Sequence, residues 1–121
     1  MTSAAEKNRS PEAWARAAKV GPDLEFEGNV GGREDLVIEG GLRGSIRLPE
    51  NDVLVAESAR VKAEINVRDI VVRGEVTGNI TASGRAVIEK TGRLIGDLSA
   101  SMISVEDGAR FKGSVRILRQ P

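Results

Sequence analysis

The chain has no cysteine, no histidine and no tyrosine, and its only aromatic residues are Trp14, Phe26 and Phe111. Each absence removes a class of chemistry. Without cysteine there is no disulfide framework, which fits a reducing compartment. Without histidine or cysteine the usual zinc and copper ligand sets cannot be assembled. Serine–histidine and cysteine–histidine catalysis is excluded as well, which leaves carboxylate or lysine chemistry. No paired carboxylates stand at a spacing that supports such chemistry. The stretch "EKTGRLIG" at 89–96 holds Lys-Thr-Gly but lacks the glycine spacing of a phosphate-cradling loop. No cofactor, metal or small-molecule substrate is expected, and the core has to be aliphatic.

Excess charge is also missing. Lys plus Arg and Asp plus Glu each number 18, for a formal net charge of zero. This balance gives no pull toward nucleic acid. It also does little to hold copies apart, so self-association is electrostatically permitted. No apolar run reaches the roughly 18 residues of a membrane-spanning helix. The opening "MTSAAEKNRSPEAW" lacks the apolar centre of a signal peptide, so a cytoplasmic protein is expected. The length, 121 residues, suits one domain.

Glycine, in contrast, is plentiful, with 14 residues, and it falls where a strand should resist it. In "RGEVTGNI", Gly74 and Gly78 share an alternating row with Val76 and Ile80. Glycine weakens a strand interior and packs against nothing. The same apolar-x-Gly-x-apolar pattern recurs along the chain. Its central residues are Gly28, Gly44, Ala63, Gly78, Gly96 and Gly113, at steps of 16, 19, 15, 18 and 17. An earlier apolar pair at alternate positions accompanies the repeats: Leu36/Ile38, Val53/Val55, Ile70/Val72, Ala86/Ile88 and Ile103/Val105. The link from pair to pentapeptide is short at Ile38–Leu42 and Val72–Val76, where Gly40 and Gly74 lie, and longer elsewhere.

Period-two alternation with short turns means strands. A step near 17 residues is too short for a helical repeat or a propeller blade and suits one coil of a parallel β-solenoid. Six coils stacked at about 4.8 Å make a rod some 25–30 Å long. The central residues then form a small-residue column at a place too tight for a side chain, either a corner or a point where two walls approach. Ala63 favours a restriction of size, since alanine resists positive φ. The competing reading is ordinary turn glycine between antiparallel hairpins, which rarely keep so regular a step.

Outside the columns, Arg60, Arg93 and Arg110 each precede a pentapeptide. They form either a basic stripe for a lipid surface or partner, or solvated pairs with Glu57, Glu89 and Glu106. Asp23, Asp35, Asp52, Asp69, Asp97 and Asp107 read as solvated turn residues.

The division expected is an N-terminal tail over 1–21, a β-helix over 22–117 and a short C-terminal tail over 118–121. The tail holds a helix-start signature in "SPEAWARAAKV", with Ser10 as N-cap and Pro11 at the first helical position. Trp14, Ala17, Ala18 and Val20 share an apolar side, either a membrane-interface anchor through Trp14 or a cover for the first coil. A solenoid needs caps for solubility. Here the last coil runs almost to the C-terminus, and Phe111 sits in it as Phe26 sits in the first. Open ends present apolar core and unpaired backbone together, a template for another copy. The expected polymer interface is Phe111, Phe26, Val115 and Ile117.

The stretches "LVIEGGLRGSI", "IVVRGEVTGNI" and "GRLIGDL…ISVEDGARFKGSV" resemble the bactofilins, polymer-forming bacterial cytoskeletal proteins, over about residues 22–117. The resemblance implies an all-β fold, a single-stranded right-handed parallel β-helix of triangular cross-section. It implies nucleotide-independent, non-polar filaments joined end to end, often attached to the inner membrane face. It also implies roles in cell shape, stalks or polarity and the recruitment of cell-wall enzymes. In that family a C-terminal phenylalanine contributes to polymer contacts, and Phe111 in "GARFKGSV" matches it. Membrane attachment there is assigned to a short apolar stretch near the N-terminus. The tail here is more polar, and Trp14 is its stand-in. The partners implied are the chain itself, a membrane surface, and cell-wall or polarity proteins. Two other readings are a hexapeptide-repeat acyltransferase, opposed by the irregular step and missing histidine, and a non-polymerising scaffold that binds a partner along its side.

Overall fold

A computed structural model describes residues 18–118. It is built entirely of strands: β1 (Ala18–Val20), β2 (Glu25–Gly31), β3 (Leu36–Ile38), β4 (Gly41–Val55), β5 (Arg60–Val72), β6 (Glu75–Thr77), β7 (Ile80–Ile88), β8 (Arg93–Val105) and β9 (Arg110–Ile117). All pairings among them are parallel, which rules out the hairpin reading. The partners are equivalent residues of successive repeats, as in Phe26↔Leu42↔Val61↔Val76↔Leu94↔Phe111. The chain therefore winds as a β-solenoid of about six coils. Each coil has three strips, typified by 36–38, 41–43 and 45–48, here called the first, second and third walls.

The fold follows from the alternation. Side chains at alternate positions point to opposite sides of a strand, so one set per strip converges inward. The inward columns include Ile38, Val55, Val72 and Ile88 on the first wall, and Leu42, Val61, Val76 and Leu94 on the second. Ile46, Ile65, Ile80 and Leu98 come from the third. All twelve are almost fully buried. Fully burying such a side chain is worth about 1.5–3 kcal/mol, so stacking coils is what makes any one coil stable.

The first coil starts earlier than the sequence reading placed it. Ala18, Lys19 and Val20 pair in register with Leu36, Val37 and Ile38. The residues expected to close an N-terminal tail are thus a strand, because this pairing extends the first wall by one coil and buries Val20. Trp14 and the remainder of the helix signature lie outside the described residues.

The glycine column has a more specific cause than a narrow interior. Gly28, Gly44, Gly78, Gly96 and Gly113 have φ between +132° and +143°, a region that residues with a Cβ avoid. In addition, a Cβ on Gly44, Gly78, Gly96 or Gly113 would collide with the carbonyl of the column's previous residue. The obstacle is the backbone of the coil below, not a facing wall. Gly78 shows this directly, since its Cβ would strike the carbonyl of Ala63. Gly40 and Gly74 are explained separately. They replace four-residue turns in the two short-linked coils, and the turns beneath aim the carbonyls of Gly21 and Leu24, or Ala56 and Ala59, into the Cβ positions. Those turns close through Leu24 N to Gly21 O at 3.1 Å and Ala59 N to Ala56 O at 2.9 Å.

The aspartates between the third and first walls are not simply solvated. Asp35 Oδ1 accepts the backbone N–H of Asp52 at 2.9 Å, and Asp69 Oδ1 accepts that of Arg85 at 2.8 Å. Asp52, a buried residue, accepts both Nε and Nη2 of Arg68 at 3.2 and 3.0 Å. One side chain thereby ties each of these corners to the next coil. The glutamate pairs also differ from expectation. Glu89 binds Arg73 (Nε to Oε1, 2.8 Å), and Glu106 Oε1 accepts the Lys90 N–H at 3.1 Å. Arg60, Arg93 and Arg110 instead share one column, with Glu75 between the first two.

Candidate functional site: the two ends of the solenoid

The inward columns do not stop with the coils that need them. In the last coil Val105, Val115 and Ile117 continue the columns of Ile88, Leu98 and Ala100. One coil further in, those positions are closed: Leu98 is 1% and Ala100 0% exposed. At the end, Val115 is 52% and Ile117 56% exposed. The side chains point into the core direction with no coil beneath them among the described residues. Phe111 lies beside them, partly buried and packed against the core, as does Ile103.

Opposite, in the first coil, Phe26 is 38% exposed, and Leu24 is exposed beside it. Val30 packs partly buried on the core. The two phenylalanines share one column, five coil steps or about 24 Å apart. The structure therefore gathers Phe111, Val115 and Ile117 into one surface and puts Phe26 on another. Gly28 and Gly113 close the same two ends of the glycine column.

The backbone reinforces the picture. Among the described residues, β9 pairs with β8 alone, β2 with β4 alone and β1 with β3 alone. Each terminal strand thus turns one row of N–H and C=O groups toward the rod end, the arrangement that invites strand addition. The surroundings of the phenylalanines differ in charge. Glu25 and Glu27 flank Phe26, whereas Arg110 and Lys112 flank Phe111 in the same columns.

The sequence reading missed Val105 and Ile103 at the C-terminal end. The signal was present, because the pair Ile103/Val105 belongs to the last repeat and has no successor. No group of metal-ligating side chains occurs among the described residues. No described helix is long and apolar enough to cross a membrane.

Known proteins are similar to this chain in sequence and fold. Bactofilin BacO of Myxococcus xanthus (strain DK1622) is 40% identical over 96 residues, spanning 79% of this chain and 75% of the relative. Bactofilin BacP of the same organism is 36% identical over 96 residues, 79% of this chain but 40% of that protein. Among solved structures, a cryo-EM reconstruction of Thermus thermophilus bactofilin double helical filaments matches with a TM-score of 0.71 at 33% identity. It covers 80% of this chain and 97% of the other. The family described as Bactofilin, polymer-forming cytoskeletal, matches residues 18–116, which takes in β1 and almost all of the last coil. With repeat, coil register and family match in agreement, the chain belongs to the bactofilins, the polymer-forming cytoskeletal family.

Proposed function

We propose that this protein is a filament subunit whose copies join through the ends of the solenoid, without nucleotide, and that the filament scaffolds cell-shape, polar or cell-wall machinery at the inner membrane face. The observation that carries the end-to-end junction is the uncovered core at the last coil. Val105, Val115 and Ile117 continue buried columns yet stand half exposed. Covering the remaining half of three such residues contributes about 3 kcal/mol, from about 1.5–3 kcal/mol for each full burial. Phe111 and the terminal backbone rows add to this. The scaffold role rests on family membership, and the Thermus thermophilus relative forms double helical filaments.

Purified protein should pellet at high speed and show filaments by electron microscopy with no nucleotide present. Phe111→Arg should leave a soluble, folded rod. Because Phe111 also touches the core, Val115→Asp serves as a second variant that changes only an exposed position. Wild-type protein that stays a monodisperse monomer at high concentration would refute polymerisation and leave the side-binding scaffold.

The opposite charges of the two ends give the junction type a readout. A head-to-tail junction brings Glu25 and Glu27 toward Arg110 and Lys112, and added salt weakens it. A junction of like ends, as in a non-polar filament, sets like charges together. It holds by apolar contact, and salt strengthens it.

A further inference from the structure

The second wall carries an order of charges that is complementary to itself. Its inward column runs from Phe26 to Phe111, so the residues on either side of that column point outward. From the first coil to the last, the outward column before it reads Glu25, Gly41, Arg60, Glu75, Arg93 and Arg110. The column after it reads Glu27, Arg43, Lys62, Thr77, Ile95 and Lys112. The six cations of these columns are exposed and form no ion pair among the described residues. Ile95 stands among them 45% exposed.

We propose that this wall is a lateral contact between two copies of the chain that run in opposite directions. A two-fold axis across the rods sets each column against its own reverse. Glu25 then faces Arg110 of the second copy, Glu27 faces Lys112, and Arg60 faces Glu75. Arg43 lays its aliphatic stem on Ile95. Arg93 reaches Gly41, where the missing side chain leaves a groove between Glu25 and Arg60. Every facing pair of charges is opposite. Sliding the copy by one coil sets Arg60 against Arg93 or against itself. A copy running the same way sets Glu25 against Glu27, Arg60 against Lys62 and Arg110 against Lys112. Of these arrangements the first alone brings no like charges together, and like charges across a contact select against it. An anionic lipid surface fits the wall less well, because it would meet Glu25, Glu27 and Glu75.

The contact is small. Three residues across and six coils along give about 10 Å by about 29 Å, or about 300 Å², against about 800 Å² per partner in a stable interface. Single subunits therefore stay apart, and rods joined end to end pair through many repeats of the contact. The pairing thus rests on the end-to-end filament proposed above.

The test is filament width by electron microscopy, with pelleting and circular dichroism as controls. Wild-type filaments should be paired at low salt and single at high salt, which screens the facing charges. Arg60→Glu should give single filaments that still pellet, and Arg60→Glu/Glu75→Arg should restore the pairs. Because the chain has no cysteine, Arg43→Cys/Ile95→Cys supplies the only thiols. These lie three coils apart within a chain, about 14 Å, and face each other across about 10 Å between packed walls. A short bis-maleimide should yield dimers on denaturing gels from the double variant and not from either single variant. Single wild-type filaments at low salt, pairs that survive Arg60→Glu, or no dimer from the double variant would overturn the pairing and leave the end junction standing. Single filaments that coat phosphatidylglycerol vesicles, and cease to on Arg60→Glu, would overturn it in favour of a membrane. Protein that forms no filaments refutes the end junction and the pairing with it.

Discussion

Replacing Gly96 with alanine should damage the rod far more than replacing Gly28, although both glycines hold the same column. Both have positive φ, +136° and +143°. That conformation alone costs a residue with a Cβ about 1–3 kcal/mol. Gly28 belongs to the first coil, and its added Cβ would meet only the Phe26 ring at 3.7–3.8 Å, ordinary contact. At Gly96 the new Cβ would run into the carbonyl and peptide of Gly78. A backbone carbonyl within a ladder cannot swing aside, so the two coils must part at this corner. The bond from Gly78 N to Ile95 O, 2.9 Å, lies there and would be lost. Leaving such groups unsatisfied costs about 1–3 kcal/mol. The expected penalties are therefore about 1–3 kcal/mol for Gly28→Ala and about 2–6 kcal/mol for Gly96→Ala. A domain stable by about 5–15 kcal/mol would be left marginal by the second. Urea unfolding followed by circular dichroism, in a Val115→Asp background that limits self-association, measures both. Equal midpoints for the two alanine variants, or a Gly96→Ala protein as stable as its parent, would refute the reasoning that the coil below sets the constraint.

Other outcomes follow from the same geometry. Ile117→Asp should prevent pelleting while leaving the melting temperature of the rod nearly unchanged. Ala100→Asp, in the same column one coil inward, should unfold the last coils, because it buries a charge with no room for a partner; urea midpoints and sedimentation separate the two. Arg68→Met should cost about 1–2 kcal/mol, since it removes two charge-assisted hydrogen bonds to buried Asp52. Lys19→Met, which breaks the exposed 3.8 Å pair with Glu39, should cost less than about 0.5 kcal/mol.

Much of the fold was legible because a solenoid writes its geometry into a one-dimensional step. Inward residues alternate, and the same alternation returns once per coil, so the core columns and coil number could be read directly. Even the start of the first coil was readable, since Ala18 and Val20 stand 18 residues before Leu36 and Ile38. A helix-like apolar side in the same residues obscured it. Contacts between coils were harder. That Asp35 and Asp69 accept a backbone N–H from the next coil depends on where two corners meet, and turn aspartates look alike in sequence. The end surface was only half legible, because Ile103 and Val105 are typed like every buried aliphatic pair of the first wall.

By itself, then, the sequence determined the repeat, the aliphatic core, the parallel coil and the lack of His- or Cys-based chemistry, because each of these is a property of residue type and spacing. Tertiary structure decided the rest. It showed that the glycines yield to a neighbouring carbonyl and that the last coil leaves Val105, Val115 and Ile117 uncovered. These depend on what lies one coil above or below, and a residue's own identity does not record its neighbours across about 4.8 Å of stacking.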